Sequence, residues 1–441
     1  MAKLLGSRIR CSVQTLSIVL LLVASCFQPA SAVSGGVAQY DAHVPLAWFN
    51  LYLRLVKETK GFAPPVASRT FGYAAIALYE AVVPGMPGYQ SLAGQLTDLP
   101  PLPQLSPGRN YHWPTVANAA LAEIARKFFA QASPENLMAI NTLEKQLMNE
   151  YLSALGPNTL GASILQGRLI AGAIDAWAQT DGSTADNVAY KLPAGDGMWT
   201  PTPPKNLPAL LPYWGNHRSF LKMDQTCKVT SPPAYSTAIT SPFYAQAREV
   251  YDTVNRLTPE QRAIALFWAD NAGETATPPG HSISILNQVL KEKQATLDVA
   301  AVAYAKVGIA VADAFVACWH TKYEYNLLRP ITYIQKVIDP KWTTPDLVTP
   351  PFPEYTSGHS VQSAATAEVL TALFGDNYKF TDHTHEEQGL APRTFASFWA
   401  AAQEAAISRL YGGIHYRAAI ENGMEQGKCI GKQVNALKFN Q

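Results

Sequence analysis

Three short groups of residues in the C-terminal third carry most of the side chains able to do chemistry. Lys322 is followed by Arg329-Pro330, then comes Thr356-Ser357-Gly358-His359, and last Ser408-Arg409 with His415 six residues beyond the arginine. Together they offer two guanidinium groups, an ammonium, a hydroxyl, two imidazoles and no carboxylate. Arginine presents forked donors that match tetrahedral oxyanions, and lysine adds a compact point charge. Gly358 opens the backbone to close approach, and N–H groups at a helix start bind anions directly. One imidazole could coordinate or attack a central atom while the other moves protons near neutral pH. The set predicts a pocket for a tetrahedral oxyanion, vanadate or phosphate. Singly, each group has a plainer reading. Lys322 could cap a helix C-terminus, Ser357 is an ordinary N-cap, and His359 and His415 could be core histidines.

Helices must position these groups. Apolar residues recur at helical spacing over Pro45–Lys60, Val66–Val83, Val116–Gln131, Pro134–Leu155 and Ala162–Thr180. Ser133-Pro134-Glu135 supplies an N-cap, a first-turn proline and a first-turn acid. Residues 181–240 are too rich in glycine and proline for regular structure and read as a long ordered loop. Helices resume over Ser241–Leu257, Thr258–Asn271, His281–Ala295 and Ala300–Tyr323, the last so apolar that it belongs at the centre. A proline-rich loop, Thr343–Tyr355, then precedes helices Ser360–Phe374, Thr394–Tyr411 and His415–Phe439. Gly412-Gly413 ends one helix and allows a tight turn, so that Arg409 and His415 can face one point. No period-two alternation persists, and the chain reads as an all-α helical bundle.

Residues 1–32 resemble a secretory signal peptide. Lys3, Arg8 and Arg10 precede an apolar run, Leu16–Val23, and Ala30-Ser31-Ala32 resembles a cleavage site. The expected address is periplasmic or secreted. Cys26 after Val23-Ala24-Ser25 leaves a lipid anchor as the alternative. Removing the leader takes three bases and no acid from 34 Lys+Arg and 33 Asp+Glu, which leaves 31 against 33, a net of −2. That balance argues against a nucleic-acid partner. No later stretch has eighteen uninterrupted apolar residues, so no membrane span is expected. Cys227, Cys318 and Cys429 permit one disulfide and one free thiol. The remaining chain divides into a helical region 33–290 and a region 291–441 carrying the pocket, expected to share one compact domain. A homo-oligomer is allowed.

The three groups resemble the signature shared by vanadium-dependent haloperoxidases and type 2 phosphatidic acid phosphatases: Lys-x6-Arg-Pro, Pro-Ser-Gly-His, and Ser-Arg-x5-His-x3-Asp. Here KYEYNLLRP covers 322–330, TSGH covers 356–359 and SRLYGGIH covers 408–415. The resemblance implies that Lys322, Arg329, Ser357, Gly358 and Arg409 bind the oxyanion oxygens. His415 would be the axial vanadium ligand, or the phosphorylated nucleophile of a phosphatase, and His359 the acid–base residue. Trp319 and Phe352 are similar to aromatic residues lining the halide side. Vanadate is then the cofactor, with phosphate able to occupy the same site. Hydrogen peroxide, halide and an organic acceptor are the small-molecule substrates. The implied reaction is halide oxidation to hypohalous acid. A phosphomonoesterase and a non-catalytic oxyanion-binding protein are the alternatives.

Two positions depart from the signature. Thr356 replaces proline, a change expected to affect only loop stiffness. Ala419 replaces the aspartate that would hydrogen-bond the second nitrogen of His415. Glu421 points elsewhere around the helix and Asn422 lies two turns on. A backbone carbonyl or a distant side chain must then orient His415. A phospho-histidine nucleophile depends more on that partner than a vanadium ligand does, which favours the haloperoxidase reading. Two further features are less specific. Asp382-His383-Thr384-His385-Glu386-Glu387 reads as a solvated loop, with divalent-metal binding as the alternative. His281, at a helix start, could line the pocket.

Overall fold

The computed structural model describes residues 36–183, 189–222 and 227–440. The expected leader, with its candidate cleavage site and Cys26, lies outside these residues. The first five helices are α1 (His43–Glu58), α2 (Pro64–Val82), α3 (Trp113–Phe128), α4 (Pro134–Leu152) and α5 (Pro157–Ala178). After the irregular stretch come α6 (Pro242–Asn255), α7 (Pro259–Phe267), α8 (Thr277–Glu292), α9 (Leu297–Tyr325) and α10 (Pro330–Val337). The last three are α11 (Gly358–Phe374), α12 (Phe398–Tyr411) and α13 (Arg417–Asn435).

The starts of these helices follow local chemistry. Proline occupies the first turn of α2, α4, α5, α6, α7 and α10, where its fixed φ helps and its missing N–H costs nothing. Ser133, Ser241, Ser357 and Ser397 accept a backbone N–H as N-caps. Thr258 and Gln261 form a reciprocal capping box.

The fold is all-α, with one small exception. Strands β1 (Phe380–Asp382) and β2 (Arg393–Phe395) pair as an antiparallel hairpin, Thr381 opposite Thr394. Three-residue strands are too short for alternation to register in the sequence. They also move the start of α12 from Thr394 to Phe398, with Ser397 as cap. Helix α10, begun by Pro330, was not anticipated either; eight residues give too little periodicity.

Helix α9 is apolar and long enough by composition to cross a membrane, yet 83% of its most apolar window is buried inside the protein. It packs along α2, α11 and α13 and forms the centre of the main core. A second cluster, with Phe243, Val250, Ile334, Tyr355, Tyr416 and Ala419, joins α6, α10 and the start of α13. Residues from α9 and α11 belong to the first cluster and Tyr355 and Tyr416 to the second, so the signature segments meet where the two cores adjoin.

The pairing of α11 with α13 brings two of those segments together. Gly423, Gly427 and Gly431 recur every four residues along one face of α13. A Cβ on Gly427 would fall 2.0 Å from the Val361 carbonyl oxygen, and one on Gly431 2.5 Å from Glu368 Cβ. Only hydrogen fits there, so the backbones can approach as closely as they do. Cys227 and Cys429 form a disulfide, and Cys318 is a buried free thiol. The bridge ties the loop after α5 to the middle of α13.

Candidate active site

His415 is set by the turn between α12 and α13. Gly412 N–H donates to the Ser408 carbonyl, and Gly413 holds φ +71°, open to glycine at little cost. Ile414 N–H then bonds back to the Arg409 carbonyl at 3.2 Å. Arg409, in the last turn of α12, and His415, just before α13, thereby line one cavity of about 960 Å³.

His415 has a carboxylate partner after all. Its Nδ1 donates to Glu354 Oε1 at 2.8 Å, and the same oxygen accepts the Tyr416 N–H at 2.9 Å. Glu354 lies in the proline-rich loop, fully buried, and Lys322 fixes that loop. The Lys322 ammonium donates to the carbonyls of Pro353 (3.1 Å), Glu354 (2.9 Å) and Thr356. Burial pushes the Glu354 carboxyl up to about 7, against the opposing pull of Arg329 and Lys322. With the proton on Nδ1, His415 Nε2 keeps its lone pair and accepts a hydrogen bond from Arg329 Nη1 at 3.2 Å. Burial first, then Arg329, Lys322 and Arg409, hold this imidazole well below its ordinary range. The imidazole is therefore held in its neutral form.

Arg329 is itself locked. Nε donates to the Phe352 carbonyl at 2.9 Å and Nη1 to the Ile414 carbonyl at 2.8 Å, while the buried Nη2 has no protein partner. Arg409 donates from Nε to Ser408 Oγ at 2.8 Å and from Nη2 to the Ala265 carbonyl. Ser357 caps α11 through Oγ, and its N–H donates to the Ala419 carbonyl at 3.0 Å. Gly358 and His359 open the helix, with N–H groups that have no intrahelical acceptor. A Cβ on Gly358 would meet only Phe315 and Trp319, at 3.7 and 3.9 Å, so no protein backbone crowds this side. His359 lines the cavity, and its ring hydrogen-bonds the Trp268 carbonyl. That leaves its buried Nε2 without a protein partner. Burial and Arg409 hold its pKa well below the ordinary histidine range.

A tetrahedral oxyanion fits these residues. Gly358, His359, Arg409 and His415 line the cavity. Arg329 is buried beside His415, with Nη1 donating to Nε2 and Nη2 unpartnered, and Glu354 holds Nδ1. Lys322 behaves differently from the other cations. Its ammonium is spent on three carbonyls, and burial pushes it down to about 8. In this geometry it shapes the loop carrying Glu354 and Phe352 and, like Arg329 and Ser357, does not line the cavity. Trp319 and Phe352 do line the cavity, with ring centroids 4.9 Å apart.

Three expectations need correction. Thr356 does more than set loop stiffness: its hydroxyl donates to Gln426 Oε1 at 2.8 Å, joining the loop to α13. The 382–387 segment is not uniformly solvated. Asp382 and His385 are buried, whereas His383 and Glu386 form an exposed ion pair at 3.0 Å. His281 does not face the pocket. It lies behind the wall, Nδ1 2.9 Å from Asp270 and Nε2 2.7 Å from Asp382, stacked on Trp268. Sequence reading also missed Glu354. Its signal was a lone acid in an otherwise uncharged run from Leu347 to Gly358.

The VCPO second helical-bundle domain matches residues 302–440. The vanadium chloroperoxidase of Curvularia inaequalis is 26% identical over 220 residues, 36% of this chain and 36% of that protein. The match thus spans about a third of that curated relative's length. The crystal structure of the first bacterial vanadium-dependent iodoperoxidase superposes with a TM-score of 0.84 at 37% identity. That superposition covers 91% of this chain and 98% of the other. A holo-type bacterial vanadium-dependent chloroperoxidase shares the fold, with a TM-score of 0.64 at 16% identity over 92% of this chain and 93% of that one. Alike in sequence and fold over almost the whole of the iodoperoxidase, the chain belongs to the vanadium-dependent haloperoxidases, an enzyme family whose cofactor is vanadate.

Proposed function

We propose that this protein oxidises halide with hydrogen peroxide to hypohalous acid, with vanadate held at His415. Iodide is the first halide to test, because the 37% identical relative is an iodoperoxidase. The observation that carries an oxyanion site at His415 is the Glu354–His415–Arg329 line; the 37% identical iodoperoxidase supports halide oxidation there. Glu354 accepts from Nδ1, so Nε2 carries the lone pair; Arg329 Nη1 donates to it at 3.2 Å, while the buried Arg329 Nη2 has no protein partner.

Bound vanadate supplies Lewis acidity that polarises a peroxide oxygen without metal redox change. The chain does the rest. Arg329, Arg409 and the N–H groups opening α11 stabilise negative charge on the oxyanion. His359, neutral and with Nε2 free, takes a proton from the incoming peroxide and returns it to the leaving oxygen. Trp319 and Phe352 give the halide a wall free of hydrogen-bond acceptors. Because Glu354 stands behind His415, Ala419 does not separate haloperoxidase from phosphatase. The preference rests on the family.

Export forms part of the proposal. The leader-like sequence of residues 1–32 and the Cys227–Cys429 disulfide support an oxidising compartment. N-terminal sequencing of the mature protein checks it.

The deciding measurement is triiodide formation by the vanadate-reconstituted protein given peroxide and iodide, with bromide and chloride in parallel. Halide oxidation that depends on added vanadate is expected. Phosphomonoester hydrolysis inhibited by vanadate, with no halide oxidised, would overturn the reading. Tight vanadate binding with neither activity would leave a binding protein.

A further inference from the structure

We propose that Asp270, His281 and His385 form a second site, for a divalent transition-metal ion of the zinc class, separate from the oxyanion pocket. The three residues come from different segments: the α7–α8 connection, the first turns of α8 and the β1–β2 connection. All three are buried, at 4%, 2% and 3% exposure, and their ligand atoms lie within 4.8 Å of one another.

The two imidazoles converge on one carboxylate. His281 Nδ1 lies 2.9 Å from Asp270 Oδ2, and His385 Nε2 lies 3.1 Å from Asp270 Oδ1. The second contact is poorly aligned for a hydrogen bond, and neither buried atom, His385 Nε2 or Asp270 Oδ1, has another hydrogen-bond partner. Unsatisfied buried polar atoms are rare enough in native proteins to call for an explanation. An ion between them would accept both lone pairs. An imidazolium at His281 between Asp270 and Asp382 explains the His281 contacts but leaves His385 Nε2 in a misaligned contact with Asp270.

The surroundings agree with a metal. His281 Nε2 stands 2.7 Å from Asp382 Oδ2, and the other Asp382 oxygen accepts the Thr384 N–H and hydroxyl at 2.9 and 2.6 Å. A carboxylate that orients a ligating histidine through its second nitrogen is the usual support for a protein metal site. Two imidazole nitrogens and two carboxylate oxygens make four donors. Such a set suits zinc, copper, nickel or iron, and not magnesium or calcium, which prefer all-oxygen shells. A bound ion would join the hairpin and α8 to the segment whose Trp268 carbonyl holds His359.

Zinc alone is the probe. The full chain is stripped with a chelator, exposed to Zn2+, dialysed and analysed by mass spectrometry for metal. About one zinc per chain is expected, falling to background in His385→Ala while His383→Ala, on the exposed side of the same connection, keeps it. Asp382→Asn should weaken zinc binding roughly 10–100-fold, and zinc should raise the melting temperature of the wild type but not of His385→Ala. No retained zinc in the wild type, equal zinc in His385→Ala, or loss confined to His383→Ala each overturns the proposal. Should His385→Ala fail to fold by circular dichroism, Asp382→Asn decides, and wild-type zinc affinity in that variant sinks the idea.

Discussion

His415 Nδ1 and Glu354 Oε1 lie 2.8 Å apart across 61 residues of sequence. The family signature places this carboxylate four residues after the histidine, on the same helix. Here it comes from the loop that precedes Ser357, while Ala419 at the signature position is buried and its carbonyl accepts the Ser357 N–H. The carboxylate has changed its covalent attachment and kept its chemical task.

Glu354→Gln should therefore weaken vanadate binding about 10–100-fold, the usual cost of losing a carboxylate behind a ligating histidine. The pH dependence supplies a separate check. The folded-state pKa is raised to about 7, so the carboxyl gains a proton as pH falls through that value. It could then donate to Nδ1 and push the His415 proton to Nε2. Vanadate affinity of the wild type should drop below about pH 7, and that of Glu354→Gln should not follow the same step. Isothermal titration at pH 6 and pH 8 reads both. Parallel pH curves for the two proteins would refute the assigned role.

His415→Ala and His359→Ala should separate binding from turnover. Losing His415 removes the nitrogen that faces Arg329, and bound vanadate should disappear with it. Losing His359 leaves every other oxyanion donor in place. That variant should retain vanadate, yet lose about 10²–10⁴-fold in kcat as a proton carrier would. Equilibrium dialysis with vanadate beside steady-state iodide oxidation makes the comparison. A His359→Ala protein that oxidises iodide at the wild-type rate would remove His359 from the mechanism.

Much of this site could be read from the chain because short-range chemistry sets it. Pro330, Ser357 and the Gly412-Gly413 pair mark helix ends, and the donors sit beside those marks. Arg409, Gly358, His359 and His415 line one cavity for that reason. What escaped reading depends on distant packing. Glu354 meets His415 only because Lys322 gathers three carbonyls of its loop. Asp382 and His385 are buried because the β1–β2 hairpin and its connection fold against α8. Lys322 misled in the opposite direction: its sequence position matches an oxygen-binding lysine, and only the fold reveals that carbonyls occupy its ammonium.

Gly427→Ala tests the close helix pairing that sets the distance between the α11 start and His415. The added methyl would meet the Val361 carbonyl at 2.0 Å, and backbone cannot rotate away as a side chain can. Separation of α11 from α13 should cost about 3 kcal/mol or more. The melting temperature should fall by several degrees, and vanadate affinity should fall with it because Gly358 and His415 ride on the two elements. A variant of unchanged stability would show that the contact relaxes freely and that the glycine stripe does not set the helix spacing.

Glu80 offers a stability test remote from the site. The side chain is 2% exposed on α2, with Oε2 accepting the Ser91 hydroxyl and Oε1 the Leu92 N–H, each at 2.7 Å. Burial outweighs these bonds and raises its pKa from 4.5 to about 7. Between those values the folded chain holds a proton that the unfolded chain has released. The contribution to stability is therefore full below pH 4.5 and is lost as pH rises towards 7, by about 3 kcal/mol at most. Glu80→Gln has no such proton to lose, and Ser91 can reverse its hydroxyl to accept from the amide. The melting temperature of the variant, measured against the wild type at each pH, should improve steadily from pH 5 to pH 8. Asp313, a second buried carboxyl raised to about 7, is present in both proteins and cancels in that difference. A constant gap across the range would mean that Glu80 titrates at its ordinary value despite its burial.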